Sequence, residues 1–286
     1  MKKLLIKETL HTLLAHFWKP HMSLNFESVN LAFNQQQLAV KIYGTGPAIV
    51  LFHSLLADQT SFDKVLPSLV KNHQVIVLSL PGFDASSFVG GSLDAIADQI
   101  AGSLKTLNLS PAPTFIGNGY GGFVALNTAI RHPSIVSKLV LADCGACFTE
   151  PGRAAFRGMS ANAEKNGLAA IADVAMRRLF APAYQEQHPD LIAQRKERFL
   201  SINLETFHGA CNALSTMDLR PLVANLQIPS LVLCGEFDEA TPPAMSEELA
   251  NLLPNAKLNI LPGLAHVPQL QDPEAFFAAI ESFINN

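Results

Sequence analysis

Charged residues are scarce in this sequence, at 15% of 286 positions, and they leave a net charge of only −4. There is no basic stripe to neutralise phosphates, which argues against a nucleic-acid partner. No hydrophobic run reaches the roughly 18 residues that a transmembrane helix requires. The hydrophobic fraction of 49% instead supplies a large core, so an ordered globular protein is expected.

Cysteine is also rare, and four cysteines do not match a disulfide framework. Reduced thiols in a cytoplasmic protein fit better. Cys144 and Cys147 form a C-x-x-C pair, and His208 and Cys211 an H-x-x-C pair, which together would suit a Cys₃His zinc site. Both pairs lie in apolar segments, so buried thiols are preferred and no metal is predicted. No G-x-G-x-x-G or P-loop follows a predicted strand, so no cofactor is predicted either.

The first 22 residues do not have the pattern of a secretory signal, because charged residues and histidines interrupt the apolar run and no small-residue cleavage site follows. Their apolar residues recur at helical spacing: Ile6, Leu10, Leu13, Leu14 and Phe17. Residues 1–22 are therefore predicted to form an amphipathic helical extension. Packing against the rest of the domain is preferred over membrane contact, because the polar face is not strongly basic.

Short β-branched segments alternate with helical patterns along the chain. Six of these segments are predicted strands: 48–52, 74–80, 113–116, 138–142, 230–233 and 257–261. Residues 24–33 and 38–43 are predicted to form a leading antiparallel hairpin. This βαβ rhythm predicts an α/β fold with a mostly parallel, doubly wound sheet covered on both faces.

The rhythm breaks after the predicted strand at 138–142, which is the sixth when the two hairpin strands are counted. From there the pattern becomes helical throughout. A helical insertion at the carboxyl edge of a parallel sheet lies where such sheets bind ligands, so it predicts a lid over a pocket. Phe156, Phe180 and Phe207 either line that pocket or form the lid's own core. The predicted domains are an extension over 1–22, a core over 23–144 and 221–286, and a lid over 145–220.

The most informative motif is residues 115–124, which read Phe-Ile-Gly-Asn-Gly-Tyr-Gly-Gly-Phe-Val. They have the glycines of a G-x-S-x-G nucleophile elbow, a sharp strand-to-helix turn, but Gly119 stands at the serine position. Glycine relieves the strain of such a turn and is expected to leave an empty volume about the size of one water. The N–H of Tyr120, at a helix N-terminus, is a predicted oxyanion donor.

Later segments supply the groups with which such an elbow works. Asp238 follows a predicted strand, and His266 follows the last one, so the chain order is nucleophile position, acid, histidine. Asp238 is predicted to orient His266 and to stabilise its charged form. Asp143, after another strand, is a less favoured position for the acid.

These motifs resemble the α/β-hydrolase superfamily over nearly the whole chain from about residue 24. Residues 213–277, with Met-Asp-Leu-Arg-Pro at 217–221 and Ala-Thr-Pro-Pro-Ala at 240–244, most resemble the 3-oxoadipate enol-lactonase group. In that group, too, a serine replaces the glycine of the usual His-Gly loop.

The resemblance implies roles for the loop after the third strand and for the elbow. The N–H of Leu55 is the second predicted oxyanion donor. Ser54, His53 and Asn118 are candidate substrate-binding residues, with a loop-bracing role as the preferred alternative for His53. Ser54 is also a less favoured substitute nucleophile, since its side chain comes from the oxyanion loop rather than from the elbow.

Gly119 excludes an acyl-enzyme at that position, and two classes of function remain. In the preferred class, His266 and Asp238 form a general base. The base either activates a water that hydrolyses a small apolar ester or lactone, or removes a proton from an enolisable carbonyl compound. The alternative is a catalytically inactive protein that binds a small molecule or a protein partner. A scaffold kept only for binding would not need the His–Asp dyad, which favours the enzyme.

Overall fold

The structure is a computed structural model in which residues 24–286 are described, so the predicted extension over 1–22 lies outside the described residues. In the described part, eight strands form one sheet in the order β1-β2-β4-β3-β5-β6-β7-β8. The strands are β1 (Phe26–Phe33), β2 (Gln36–Tyr43), β3 (Ala48–Phe52), β4 (Gln74–Leu78), β5 (Thr114–Asn118), β6 (Lys138–Ala142), β7 (Ser230–Gly235) and β8 (Ala256–Leu261).

The strand directions agree with the predicted fold class. β1 and β2 form the leading antiparallel hairpin, and β2 also pairs antiparallel with β4. The pairs from β4 through β3, β5, β6 and β7 to β8 are all parallel. Every residue of β3, β5 and β7 is buried. Their nearly continuous apolar sequences suit central strands that are covered on both faces.

Helices cover both faces of the sheet, and consecutive strand residues face opposite layers. In β3, Val50 and Phe52 pack in one core, whereas Ile49 and Leu51 pack in the other. Outside the insertion the helices are α1 (Leu66–Leu69), α2 (Leu93–Lys105) and α3 (Tyr120–Arg131), and after it come α9 (Arg220–Val223), α10 (Pro243–Leu252), α11 (Pro268–Gln271) and α12 (Pro273–Asn285). Short 3₁₀ turns lie at Gln59–Phe62, Pro133–Ile135 and Leu168–Ile171.

Two helix starts form as their sequences predict. The Ser92 side chain accepts a hydrogen bond from the Ala95 N–H at the start of α2. The Asp272 side chain accepts one from the Ala275 N–H, and Pro273 occupies the first turn of α12. The two helices then bury their apolar stripes on opposite faces of the sheet.

The insertion between β6 and β7 is helical. It contains α4 (Glu150–Asn166), α5 (Ala172–Leu179), α6 (Pro182–Gln187), α7 (Pro189–Leu200) and α8 (Leu204–Thr216). Phe180 and Phe207 are fully buried in its core, whereas Phe156 lines a cavity above the sheet. None of the helices within residues 24–286 has the length and apolarity needed to cross a bilayer.

Candidate active site

The turn between β5 and α3 carries Gly119, with φ 55° and ψ −123°. A positive φ is strained for residues with a side chain, and glycine adopts it without penalty. The neighbouring Gly121 is required for a different reason, because a Cβ there would overlap the Phe52 carbonyl oxygen. The turn therefore brings α3 against the carboxyl end of β3 and directs its first N–H groups towards the edge of the sheet.

Asp238, after β7, and His266, after β8, meet beside this turn. His266 Nδ1 lies 2.9 Å from Asp238 Oδ2. Asp238 Oδ1 accepts hydrogen bonds from the N–H groups of Ala240 and Thr241, at 2.7 and 3.0 Å. Burial by itself raises the pKa of Asp238, but His266 and the Thr241 hydrogen bonds outweigh it and hold that pKa below its ordinary value. The ionised carboxylate keeps the proton of His266 on Nδ1, which leaves Nε2 as an acceptor.

Asp143, after β6, lies in the same buried space but does not bind His266. Its carboxyl oxygens accept hydrogen bonds from the Gly235 N–H at 2.8 Å and from Asn118 Nδ2 at 3.1 Å. Burial, followed by the charge of Asp238, raises the pKa of Asp143 well above its ordinary value. Of the two acid positions weighed from the sequence, the one beside the histidine is thus Asp238.

These two carboxyl groups and the Cys234 thiol have donor atoms within 4.8 Å of one another, the one such metal-like cluster in residues 24–286. Every carboxyl oxygen of the cluster already accepts a hydrogen bond from the protein. We therefore interpret it as a hydrogen-bonded carboxyl pair and assign no metal to it. The four cysteines in the described residues are buried and form no disulfide.

The space above Gly119 differs from the expected water-sized hole. A Cβ on this residue would lie 2.7 Å from His266 Nε2 and 2.7 Å from Ser54 Oγ. Real Cβ atoms essentially never approach other atoms so closely, so the imidazole and the Ser54 hydroxyl fill the volume that a side chain at 119 needs. The expected water-sized volume is therefore not found directly above Gly119, whereas the absence of a nucleophile on residue 119 is unchanged.

The two residues whose N–H groups are the predicted oxyanion donors lie at the cavity above the turn. Leu55 and Tyr120 are buried and line it. Neither backbone N–H has a hydrogen-bond acceptor within residues 24–286. Buried N–H groups in proteins are nearly always paired, so two unpaired N–H groups beside one cavity are compatible with the predicted oxyanion site.

The structure places two of the three candidate substrate-binding residues away from the cavity, which corrects the prediction for Asn118 and agrees with the preferred loop-bracing role for His53. His53 is fully buried, accepts a hydrogen bond from the Leu80 N–H and contacts the Ser54 carbonyl, so it braces the loop. Asn118 is also fully buried, and its side chain binds the His266 carbonyl at 2.8 Å from below the site. Both side chains are turned away from the cavity because the backbone behind it needs their hydrogen bonds. Of the three candidates, only Ser54 lines the cavity.

The cavity is small and mostly apolar. Its volume is about 40 Å³, which is room for about three waters. The sheet side contributes Ser54, Leu55, Leu56, Gly119, Tyr120, Phe123, Ala240, Thr241 and His266. The insertion and the segment leading into it contribute Phe148, Phe156, Met159, Arg178 and Leu214. Arg178 is half-buried and makes no ion pair within the described residues.

Comparison with known proteins decides the family. The family model for the alpha/beta hydrolase fold matches residues 47–273, from the first parallel strand to the start of α12. The chain belongs to the α/β-hydrolase family. The resemblance predicted from the sequence motifs is thereby confirmed.

Relatives of this α/β-hydrolase include lactonases and esterases. The 3-oxoadipate enol-lactonase 2 of Acinetobacter baylyi is 26% identical over 238 residues, which cover 82% of this chain and 88% of the relative. The solved enol-lactonase of Burkholderia xenovorans LB400 is 25% identical with a TM-score of 0.85, over 90% of this chain and 100% of that one. A malate-bound thermophilic esterase of Thermogutta terrifontis is 26% identical with a TM-score of 0.82, over 91% and 98%.

Three residues of this α/β-hydrolase site were missed from the sequence. The Thr241 hydroxyl lies 2.6 Å from Asp238 Oδ2, and a threonine three residues after an aspartate at a strand end was a usable turn signal. Gln269 donates to Asn118 Oδ1 at 3.0 Å, and Arg178 lines the cavity from the insertion. These two have no local signal, because their partners lie far away in the chain.

Proposed function

We propose that this α/β-hydrolase hydrolyses a small ester or lactone. His266 and Asp238 act as the general base, and the Leu55 and Tyr120 N–H groups stabilise the oxyanion. The observation that carries this proposal is that His266, Leu55 and Tyr120 line one cavity, and that His266 Nε2 and the two backbone N–H groups have no hydrogen-bond partner within residues 24–286. Acyl transfer needs a general base and an oxyanion site on opposite sides of the reacting carbonyl carbon.

The reaction starts with the carbonyl oxygen of the substrate between the two N–H groups. A hydroxyl group then attacks the carbonyl carbon of the substrate. His266 Nε2 takes the proton of this hydroxyl, and Asp238 stabilises the imidazolium that forms. The two N–H groups bind the negative charge that develops on the carbonyl oxygen, and each such donor contributes about 10²–10³-fold to the rate. His266 then returns the proton to the leaving oxygen. Residue 119 carries no acyl group, since it has no side chain.

The walls of the cavity define the substrate class. Phe148, Phe156, Met159 and Leu214 favour a short apolar chain. Arg178, unpaired at the wall, favours a carboxylate on that chain. The malate-bound esterase among the relatives is consistent with an anionic substrate. A cavity of about 40 Å³ is too small for an ester, so the insertion side chains move when the substrate binds.

A second candidate is a catalytically inactive binding protein, and the observation that favours it is the glycine at 119. In that case the cavity binds a carboxylate-bearing small molecule without changing it. Proton abstraction from an enolisable carbonyl compound is a third use of the same base and N–H groups.

Turnover by the unaltered protein and by His266→Ala tests these candidates. The assay measures product from p-nitrophenyl esters, short lactones and enolisable ketones, each with and without a carboxylate. The expected result is ester or lactone hydrolysis that falls about 10³-fold or more in the variant. His132→Ala, in a surface ion pair with Asp98, is the matched control and is expected to keep full activity.

Ligand stabilisation without product, unchanged in His266→Ala, would favour the binding protein. Turnover of the ketones alone would assign the base to proton abstraction.

A further inference from the structure

We propose that Ser54 Oγ, on the loop after β3, is the nucleophile of this site in place of a hydroxyl on residue 119. The inference rests on the proposed function, because it names the attacking group of the same reaction. It also replaces the serine-free mechanism that the sequence favoured.

The position of the Ser54 hydroxyl is the first argument. Ser54 Oγ and His266 Nε2 each lie 2.7 Å from the Cβ that residue 119 lacks, so they are at most twice that distance apart. The two atoms make no hydrogen bond in this structure, so the proposal requires the Ser54 side chain to rotate and form one when substrate binds, as catalytic hydrogen bonds often do. The hydroxyl occupies the region from which an elbow serine would attack.

The Ser54 hydroxyl is also free. Ser54 lines the cavity, and its Oγ has no hydrogen-bond partner within residues 24–286. His266 Nε2 likewise has none in that part of the chain. Neither atom is therefore held by a competing partner, which leaves both available for the hydrogen bond through which a base activates a serine.

Other hydroxyls of the cavity wall are less suited. The Thr241 hydroxyl lies 2.6 Å from Asp238 Oδ2 and 2.7 Å from the Asp143 carbonyl, so it is committed to the acid side of the dyad. The Tyr120 ring is buried in the hydrophobic core, and this burial raises the pKa of its phenol. Ser54 is the remaining hydroxyl on the cavity wall.

The loop that carries Ser54 is held rigidly. The Leu80 N–H donates to His53 Nε2 at 3.1 Å, so the proton of this buried imidazole is on Nδ1, which donates to the Ser54 carbonyl at 3.0 Å. Burial, the largest influence, lowers the pKa of His53 and keeps it neutral. The Ala57 N–H donates to the same carbonyl. A nucleophile held by a fixed backbone is preorganised for attack.

In both the β3 loop and the elbow, an oxyanion donor directly follows the position of a possible nucleophile. In an elbow, the N–H of the residue after the nucleophile is one donor and the β3 loop supplies the other. Leu55 follows Ser54 as Tyr120 follows Gly119. With Ser54 as nucleophile, the two N–H groups keep their places and only the source of the hydroxyl changes.

The chemistry balances without a further reactant. Ser54 Oγ forms a bond to the carbonyl carbon as its proton moves to His266 Nε2. The bond to the leaving oxygen breaks, that oxygen takes the proton from His266, and an acyl ester remains on Ser54. Water then attacks this ester, gives its proton to His266, and the proton passes to Ser54 Oγ as the acid leaves.

Covalent labelling and turnover together test the assignment. The unaltered protein, Ser54→Ala and Ser61→Ala are treated with a fluorophosphonate, digested and mapped by mass spectrometry, and hydrolysis of p-nitrophenyl acetate is measured in parallel. Ser61 is a matched control, a buried serine off the cavity with no hydrogen-bond partner. The expected result is a phosphonyl group on Ser54, no label in Ser54→Ala, and a loss of about 10³-fold or more in turnover only in that variant.

The two possible failures are distinguishable. If the unaltered protein hydrolyses the ester and Ser54→Ala retains its rate within about threefold, water attacks directly, and the Ser54 assignment is overturned while the proposed function stands. If the unaltered protein turns over no ester or lactone, the proposed function fails, and the assignment of Ser54 falls with it. Thermal unfolding of each variant separates a loss of chemistry from a loss of fold.

Discussion

The floor and the roof of the cavity are built on different principles. On the floor, Asp238, Asp143, Thr241 and Asn118 are buried and hydrogen-bonded to one another or to backbone groups. On the roof, the insertion and the segment leading into it present apolar side chains and one unpaired cation, Arg178. In the proposed function, the floor fixes the geometry of the reacting groups, whereas the roof selects the substrate and adapts to it.

Asp238→Asn is the strongest test of the floor. Loss of the carboxylate removes the partner of His266 Nδ1 and permits the wrong imidazole tautomer, so turnover is expected to fall by about 10³–10⁴-fold. Steady-state kinetics on the best ester from the screen measures it. Asp190→Asn, on the exposed first turn of α7, is the control. A loss below about tenfold would mean that His266 works without its acid.

Arg178→Leu tests the roof. If Arg178 binds a substrate carboxylate, KM for a carboxylate-bearing ester is expected to rise by about 10–100-fold, while the neutral ester of the same length is hardly affected. The neighbouring Arg177→Leu, which lies on a different surface groove, is the matched control. Equal changes for charged and neutral esters would show that Arg178 acts through packing instead.

Gly119→Ser tests how closely the His266 and Ser54 side chains pack over Gly119. A serine must adopt a positive φ and displace the His266 and Ser54 side chains, so a loss of about 1–3 kcal/mol in the free energy of unfolding is expected. Urea denaturation measures it. Gly158→Ser, where a Cβ on α4 meets open space, is the control and is expected to cause no loss of stability, because serine is the better helix former.

The additional variant Ser54→Ala/Gly119→Ser sharpens this test. Removing Ser54 Oγ relieves one of the two closest contacts, so the double variant is expected to be more stable than the sum of the single effects predicts. Strict additivity would contradict the close approach of the two side chains.

Asp143→Asn has the smallest expected effect, on the pH dependence of stability. The folded state raises the pKa of Asp143, so above the ordinary aspartate range the unfolded chain binds fewer protons than the native one. Stability contributed by this group therefore falls as pH rises towards the folded pKa. Urea unfolding from pH 4 to 8 is expected to show this decline in the unaltered protein and a weaker one in the variant. Identical slopes would mean that Asp143 is ionised in the fold.

Much of the architecture was readable from local patterns. Predicted strands 48–52 and 138–142 match β3 and β6 residue for residue, and the caps at Ser92 and Asp272 form as expected. The predicted 74–80 strand ends two residues earlier, where the Leu80 N–H is used by His53. Periodicity and capping involve residues close in sequence, and this is why they can be recognised before the fold is known.

The sequence by itself determined the α/β-hydrolase fold, the order of Gly119, Asp238 and His266, and the pairing of that histidine with that acid. Only the tertiary structure decided that Ser54 and His266 close over Gly119, that Asn118 supports the His266 loop from below, and that Arg178 faces the cavity. Asn118 and His266 are 148 positions apart. Such contacts depend on packing among distant segments, which no local pattern encodes.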